Sequence, residues 1–335
     1  MKTLMLGADQ IETAAQILRS GGLVAMPTET VYGLAADALN GAAVAAIFRA
    51  KGRPMDNPLI VHIAALDQIS GLVREFPPAA RRLAEVFWPG PLTMILPRSA
   101  AVPAEVSAGL DTVAIRFPSH PLAQKLIAVS CPLAAPSANL SGSPSPTTAA
   151  HVMADMNGRI DAVLDGGECA VGLESTVITL AQGTPRILRP GGVTAEQIRS
   201  VIGETVIDRA VTQPLGKDET AASPGMKYKH YAPRAEVLLL DGDDSAFEAY
   251  IRASGDDKSA ALCYNGEESR LSCLCIPIGD KEDDNAYAHN LFSALRKADE
   301  LGCSRVFAHC PKQEGMGLAV YNRVIRAAGF HIIKL

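Results

Sequence analysis

The segment FRAKGRPMDNPLIVHI, residues 48–63, sets Lys51, Arg53, Asp56 and Asn57 between two runs of core-type residues, with His62 just beyond. Lys51 and Arg53 stand two apart, so in an extended segment both can point the same way. Pro54 and Pro58 restrict the backbone, which lowers the entropic cost of holding long side chains in place. Such a pair suits a polyphosphate, with Arg forking onto two oxygens and Lys supplying a point charge. The competing explanation is a solvated helix end whose cations complement the helix dipole.

Other loops carry donors of the same kind. PTETVYGLAAD (27–37) sets Thr28, Glu29, Thr30 and Tyr32 after a strand-like run, and APSANLSGSPSP (135–146) sets Ser137, Asn139, Ser141, Ser143 and Ser145 after another. Hydroxyls in such loops ordinarily form caps and turns, and they can also aim donors at a ligand. Arg116, between Ile115 and Phe117 in GLDTVAIRFPSHP, needs an anionic partner if it is buried, either a side chain or a ligand carboxylate. GLESTVI and RILRPGG place Ser175 and Arg189 at strand ends. There is no GxxxxGK[ST], strand-bound GxGxxG, HExxH or GxSxG motif, so a nucleotide site must be built from side chains rather than a glycine cradle.

Periodicity identifies the elements that must hold these loops. Asp9 and Glu12 have capping-box spacing ahead of a helix that ends at Gly21 and Gly22. LVAM (23–26) reads as a strand, 41–50 as a helix, 59–63 as a strand and 78–87 as a helix. Strands near 92–96 and 112–117, a helix over 120–129 and the short strand LAAP (133–136) come next. A helix near 147–156, strands near 162–165, 174–180 and 185–189, and a helix near 194–202 complete a first domain, 1–205. This order predicts a twisted mixed sheet in an α/β domain rather than a regular alternating unit. Residues 206–234 read as a linker, rich in Gly, Pro and charge. From 235 to 335 strand and helix alternate as in a smaller, doubly wound Rossmann-like α/β domain.

Composition agrees with two ordinary globular domains: 335 residues, 48% hydrophobic and 20% charged. A net charge of −5 argues against a protein that coats nucleic acid or anionic membrane, while leaving room for a local basic pocket. No apolar run approaches the roughly 18 residues of a membrane span, and the N-terminus lacks a signal peptide's apolar core. Seven cysteines without CxxC pairs read as reduced thiols, so a cytoplasmic protein is expected.

Taken together, PTETVYGL, KGRPMDNPLIVH, WPGPLT, GLDTVAIRFPSHP, APSANLSGSPSPT and ESTVI followed by ILRPG resemble, in order and spacing, the threonylcarbamoyl-AMP synthases of the YrdC-like family. The resemblance covers residues 10–203, and SPGMKYKHYAP (223–233) resembles the linker of the longer, two-domain form; 235–335 matches only in length and α/β character. It implies a YrdC-like catalytic domain and a nucleotidyltransferase that joins L-threonine, bicarbonate or carbon dioxide, and ATP into threonylcarbamoyl adenylate, releasing pyrophosphate. Partner proteins would then carry the threonylcarbamoyl group to the adenosine beside the anticodon of tRNA. The resemblance leaves open whether this chain touches tRNA.

The same resemblance assigns roles. Lys51, Arg53, Ser137 and Asn139 would form the catalytic set on the ATP phosphates. Asn57, Thr112, Ser145, Arg189 and a linker tyrosine, Tyr231 or Tyr228, would make further nucleotide contacts. Thr30, Tyr32, His62, Arg116, the backbone at Ala135, and Ser175 would form the threonine pocket, with His62 a hydrogen-bonding residue rather than a general base. Mg²⁺ is expected on the phosphates, without a dedicated protein metal site. Tyr228, His230 and Tyr231 could close over the mouth as a lid. Two rivals remain at this point. A carbamoyl-adenylate enzyme of hydrogenase maturation would carry acylphosphatase and zinc-finger segments that this chain lacks. A non-catalytic RNA-binding module is weakened by the acidic balance and the scarcity of aromatics.

Overall fold

A computed structural model describes residues 2–181, 183–214 and 230–335. Its first sheet uses β1 (Leu4–Leu6), β2 (Val24–Met26), β3 (Gly33–Asp37), β4 (Ile60–His62), β5 (Leu92–Pro97) and β6 (Thr112–Arg116). It continues with β7 (Leu133–Ala134), β8 (Ala162–Leu164), β9 (Thr176–Thr179), β10 (Arg186–Arg189) and β11 (Val206–Ile207). The spatial order is β1-β8-β2-β3-β7-β4-β6-β5-β9-β10-β11, with parallel and antiparallel neighbours mixed.

The strand period of two decides what each face does. On β4, β5 and β6 the residues Val61, Leu92, Met94, Val113 and Ile115 enter the main core under the helices. The alternate residues Ile60, Ile95 and Ala114 join Val177 and Leu188 as a small apolar floor on the opposite face. The same alternation puts His62 and Arg116 on that floor side, in register with one another, and Thr93 pairs with Arg116 from the other flank. A strand such as TVAIR therefore buries Val and Ile in the core while presenting Arg to the far face.

Most helices lie where periodicity places them, at Ile11–Arg19, Gly41–Lys51, Pro78–Phe87, Pro121–Val129, Ala149–Met156 and Ala195–Ile202. The Asp9–Glu12 capping box does not form. A 3₁₀ turn at Ala8–Gln10 precedes the helix, and the Gln10 side chain takes the Gly7 N–H at 3.0 Å instead. Three strands had no sequence signal. β1 is a three-residue edge with two exposed side chains, too short to show alternation. β3, sequence GLAAD, has no β-branched residue, and pairing between β2 and β7 makes it a strand. β11 pairs with β10, so the first sheet runs on to Ile207.

The second sheet is wholly parallel: β12 (Glu236–Asp241), β13 (Ser259–Tyr264), β14 (Leu274–Gly279), β15 (Arg305–His309) and β16 (Ile332–Lys334), in the order β14-β13-β15-β12-β16. Its helices Asp284–Glu300 and Gly315–Ala327 cover one face and also meet the first domain. Val31, Leu173 and Tyr231 share one apolar cluster with Leu291, Phe292, Val320 and Val324. The two domains therefore have a continuous core at their junction. Among the described residues no helix is long and apolar enough to cross a membrane, and all seven cysteines stand as free thiols.

Candidate active site

A cleft opens over the apolar floor of the first sheet, at the junction of the domains. Its walls include Arg53, His62, Arg116, Ser137, Ser175 and Arg189, with Glu174, His230 and Tyr231. Residues as far apart in sequence as Arg53 and Tyr231 thus converge, because the strand order interleaves distant chain segments.

Arg116 is almost fully buried at the end of β6. Its Nη1 donates to Thr30 Oγ1 at 2.8 Å, and Nη2 lies 2.8 Å from Glu29 Oε1, an ion pair out of hydrogen-bond alignment. Nε has no hydrogen-bond partner. The loop that brings Thr30 here is a Thr28 turn: the Thr28 hydroxyl donates to the Val31 carbonyl at 2.6 Å and accepts from the N–H groups of Thr30 and Val31. Burial raises the Glu29 carboxyl, but Arg116 outweighs it and the pKa ends below the usual value. Beside Arg116, His62 shares Nδ1 with the Ile60 carbonyl at 3.2 Å. Burial, then the Arg116 charge, push its pKa down to about 3, so the imidazole is neutral at any physiological pH.

Across the cleft, Gly52 ends the helix Gly41–Lys51 in the left-handed region at φ 62, and the Arg53 N–H closes onto the Phe48 carbonyl at 3.0 Å. That turn lays the Arg53 guanidinium 5.7 Å from the Phe48 ring centroid. Nη2 bonds the carbonyls of Asn57 and Pro58 at 3.0 and 3.2 Å, and Nε is unpartnered. Arg189, at the end of β10, reaches across to the start of β9, with Nε on the Ser175 carbonyl at 3.0 Å and Nη2 on the Ser175 hydroxyl at 3.2 Å. Ser175 Oγ lies 2.8 Å from Thr93 Oγ1.

Lys51 corrects one expectation. The helix does not end in an extended segment, so Lys51 and Arg53 do not point the same way. Lys51 is buried, and its Nζ donates to the carbonyls of Ser137 and, at 2.6 Å, Asn139. Burial and then the Arg53 charge hold its pKa well below the ordinary lysine value. It clamps the serine-rich loop from beneath instead of lining the cleft. Asn139 is likewise spent on that loop, with Nδ2 on the carbonyls of Leu140 and Ser143, while its Oδ1 is buried without a partner. Tyr32 is also not brought to the cleft. It is wholly buried in the main core, and its hydroxyl donates to the Gly167 carbonyl at 2.7 Å.

The remaining expected residues flank the cleft. Ser145 is buried and its hydroxyl donates to Glu174. Ala135 lines the cleft and is fixed by its N–H to the Ile60 carbonyl at 2.9 Å. Thr112 opens β6 at the far end from Arg116, and the β4–β6 register sets Asn57 close to that end. Both amide atoms of Asn57 are buried without partners. Tyr228 lies outside the described residues. Tyr231 is buried at the cleft wall with φ 65, its ring 5.4 Å from that of Phe292. His230 points an unpartnered Nε2 nearby, and burial followed by the Arg53 charge lowers its pKa to about 3.

Sequence reasoning missed Glu29 and Glu174 as the counter-ions of the site, and Arg323 of the second domain, which pairs with Glu174. A signal existed: each acid stands directly beside a residue that was singled out. The described residues hold one group of His and carboxylates close enough to share an ion, Asp244, Glu267 and His309, and it lies in the second domain away from the cleft.

Comparison with known proteins matches the chain in two segments. Residues 16–191 fit the family described as telomere recombination, the Sua5, YciO and YrdC proteins, and residues 193–329 fit the threonylcarbamoyl-AMP synthase C-terminal domain. The threonylcarbamoyl-AMP synthase of Pyrococcus abyssi is 48% identical over 331 residues, 97% of this chain and 96% of that one. That of Bacillus subtilis is 45% identical over 330 residues, 97% of this chain and 94% of that one. The crystal structure of P. abyssi Sua5 complexed with L-threonine superposes with a TM-score of 0.91 at 45% identity, covering 100% of both chains.

Proposed function

The chain belongs to the threonylcarbamoyl-AMP synthases, and from that premise we infer how its cleft works. It is an adenylate-forming enzyme that joins L-threonine, bicarbonate or carbon dioxide, and ATP into threonylcarbamoyl-AMP and pyrophosphate. The observation that carries the assignment of roles is the Arg116 fork, a buried guanidinium with Nε and Nη2 lacking aligned acceptors at the cleft wall. A buried donor edge of this kind suits a carboxylate. Arg116, Thr30, Ser175 and neutral His62 take the threonine end, the Arg116 guanidinium turning from Glu29 to the substrate carboxylate.

Arg53, Arg189 and Ser137 face the polyphosphate, and Lys51 acts on it indirectly by holding the 137–139 loop. Asn57 and Thr112 mark the direction in which the nucleoside extends. The threonine amine adds to carbon dioxide, losing a proton to become a carbamate. A carbamate oxygen then attacks the α-phosphorus in line, and pyrophosphate leaves. Both reactants are anions, so prepositioned cations supply the main catalytic effect. Alignment alone can contribute ~7–11 kcal/mol. Mg²⁺ fits as a companion of the phosphates: Glu174, the carboxylate on the cleft wall, is already engaged by Arg323. His230 and Tyr231 close one side and shield the carbamate and the mixed anhydride from water. The product passes in the cytoplasm to proteins that modify tRNA.

Pyrophosphate release from ATP, measured with and without L-threonine and bicarbonate, tests the reading. Release that needs both co-substrates is expected. Release independent of threonine overturns it.

A further inference from the structure

The helix Gly315–Ala327 belongs to the second domain, yet its Arg323 is fully buried against the first. A guanidinium in such a place has to be paired on most of its donors. Nε donates to Glu174 Oε2 at 2.9 Å, Nη2 to the Glu174 carbonyl at 3.2 Å, and Nη1 to the Pro190 carbonyl at 2.6 Å. The other Glu174 oxygen accepts from Ser145. Arg323 Cζ also lies 5.7 Å from the centroid of the Tyr231 ring. One side chain of the second domain thus grips the residue before Ser175, the residue after Arg189, and the linker tyrosine.

We propose that Arg323 is a positioning residue for the synthase reaction: it neutralises Glu174, holds Ser145 through it and seats Tyr231, so that ATP binds productively only with the second domain docked. The proposal rests on the reading of the cleft given above. Glu174 lines the cleft, whereas Arg323 stands behind it. Burial would raise the Glu174 carboxyl, but Arg323, then Arg189, outweigh it and keep the group ionised. Without Arg323 a buried carboxylate would face the polyphosphate with one guanidinium fewer to screen it. Like charges at such range in a low dielectric repel strongly.

The test uses the full chain with R323Q, R323K, E174Q and the double variant R323Q/E174Q, following threonine- and bicarbonate-dependent pyrophosphate release against ATP and against threonine. R323Q should raise the ATP KM about tenfold or more, as expected for breaking a buried pair, and the threonine KM much less. R323K should lie between, and R323Q/E174Q should return to within about threefold of wild type, since a neutral pair no longer repels phosphate.

A merely structural arginine would lower the melting temperature without separating the two KM values. The proposal is overturned by an R323Q ATP KM within about twofold of wild type, by parallel rises in both KM values, or by a double variant no better than R323Q. Should R323Q not fold, R323K decides: an ATP KM within about twofold of wild type, or a threonine KM that rises in parallel, overturns the proposal. Wild-type enzyme that releases no threonine-dependent pyrophosphate sinks the reading of the cleft itself, a result distinct from a silent R323Q.

Discussion

Replacing Arg116 tests the threonine pocket, and the structure sets both the size of the effect and its main confusion. The side chain is 3% exposed, so a substrate carboxylate placed on it is held in a desolvated site. Losing such a partner costs about 2–5 kcal/mol, or roughly 30-fold to several thousand-fold in Kd. The lower part of that range is expected, because Glu29 already competes for Nη2 at 2.8 Å and the substrate gains only the difference. Arg116→Ala also strands the Glu29 carboxylate, which depends on Arg116 for its depressed pKa, so lost binding and lost local order have to be separated. Glu29→Gln separates the two effects. Alone it removes the competitor and should leave threonine binding equal or tighter. Combined with Arg116→Ala it should recover stability without recovering affinity. Calorimetry of L-threonine with each variant, with ATP binding as control, reads both. The reasoning fails if the double variant binds threonine within about threefold of wild type, or if ATP binding falls as far as threonine binding.

Arg53→Ala should lower turnover by about a hundredfold while threonine still binds, since Arg53 acts on charge that grows as pyrophosphate leaves; loss of calorimetric threonine binding would contradict its assignment. Lys51→Met leaves the buried carbonyls of Ser137 and Asn139 without their donor, and should cost about 1–3 kcal/mol in urea-unfolding stability together with a higher ATP KM. An unchanged midpoint would show that the loop does not need this clamp. His62 and His230 are neutral in the folded chain down to about pH 3, whereas the unfolded chain takes their protons from the ordinary value of 6.5 downward. Stability is therefore fully present above 6.5 and lost as pH falls from 6.5 toward 3, with up to about 1.4 kcal/mol per pH unit from each. Acid titration of the unfolding free energy checks this, and His62→Asn should shallow the slope; an equal slope in that variant would refute it.

The sequence by itself determined the α/β class, most of the elements in order, and several positions that line the cleft, among them Arg53, His62, Arg116, Ser137, Ser175 and Arg189. Period-two and period-3.6 patterns are local, so they can be read along the chain; the Gly52 cap, which turns Lys51 and Arg53 apart, was not read there. Arg116 within TVAIR announced a buried cation needing an anion, and the serine-rich loop announced its donors. What each donor is spent on is not local. Lys51 reads as a phosphate ligand along the chain, and its partners in the fold, the carbonyls of Ser137 and Asn139, come from far away in sequence when β7 packs beside β3 and β4. Tyr32 sits among site residues in the sequence, yet its ring faces the core because Gly167 offers an acceptor there. Glu29 and Glu174 became counter-ions through pairings across 87 and 149 positions, and β3 became a strand only because its neighbours supply the missing hydrogen bonds. Burial decides the rest: the neutral state of His62 follows from its place between β6 and β7 beside Arg116, and the pairing of Glu174 with Arg323 follows from the docking of a second domain that no local pattern records.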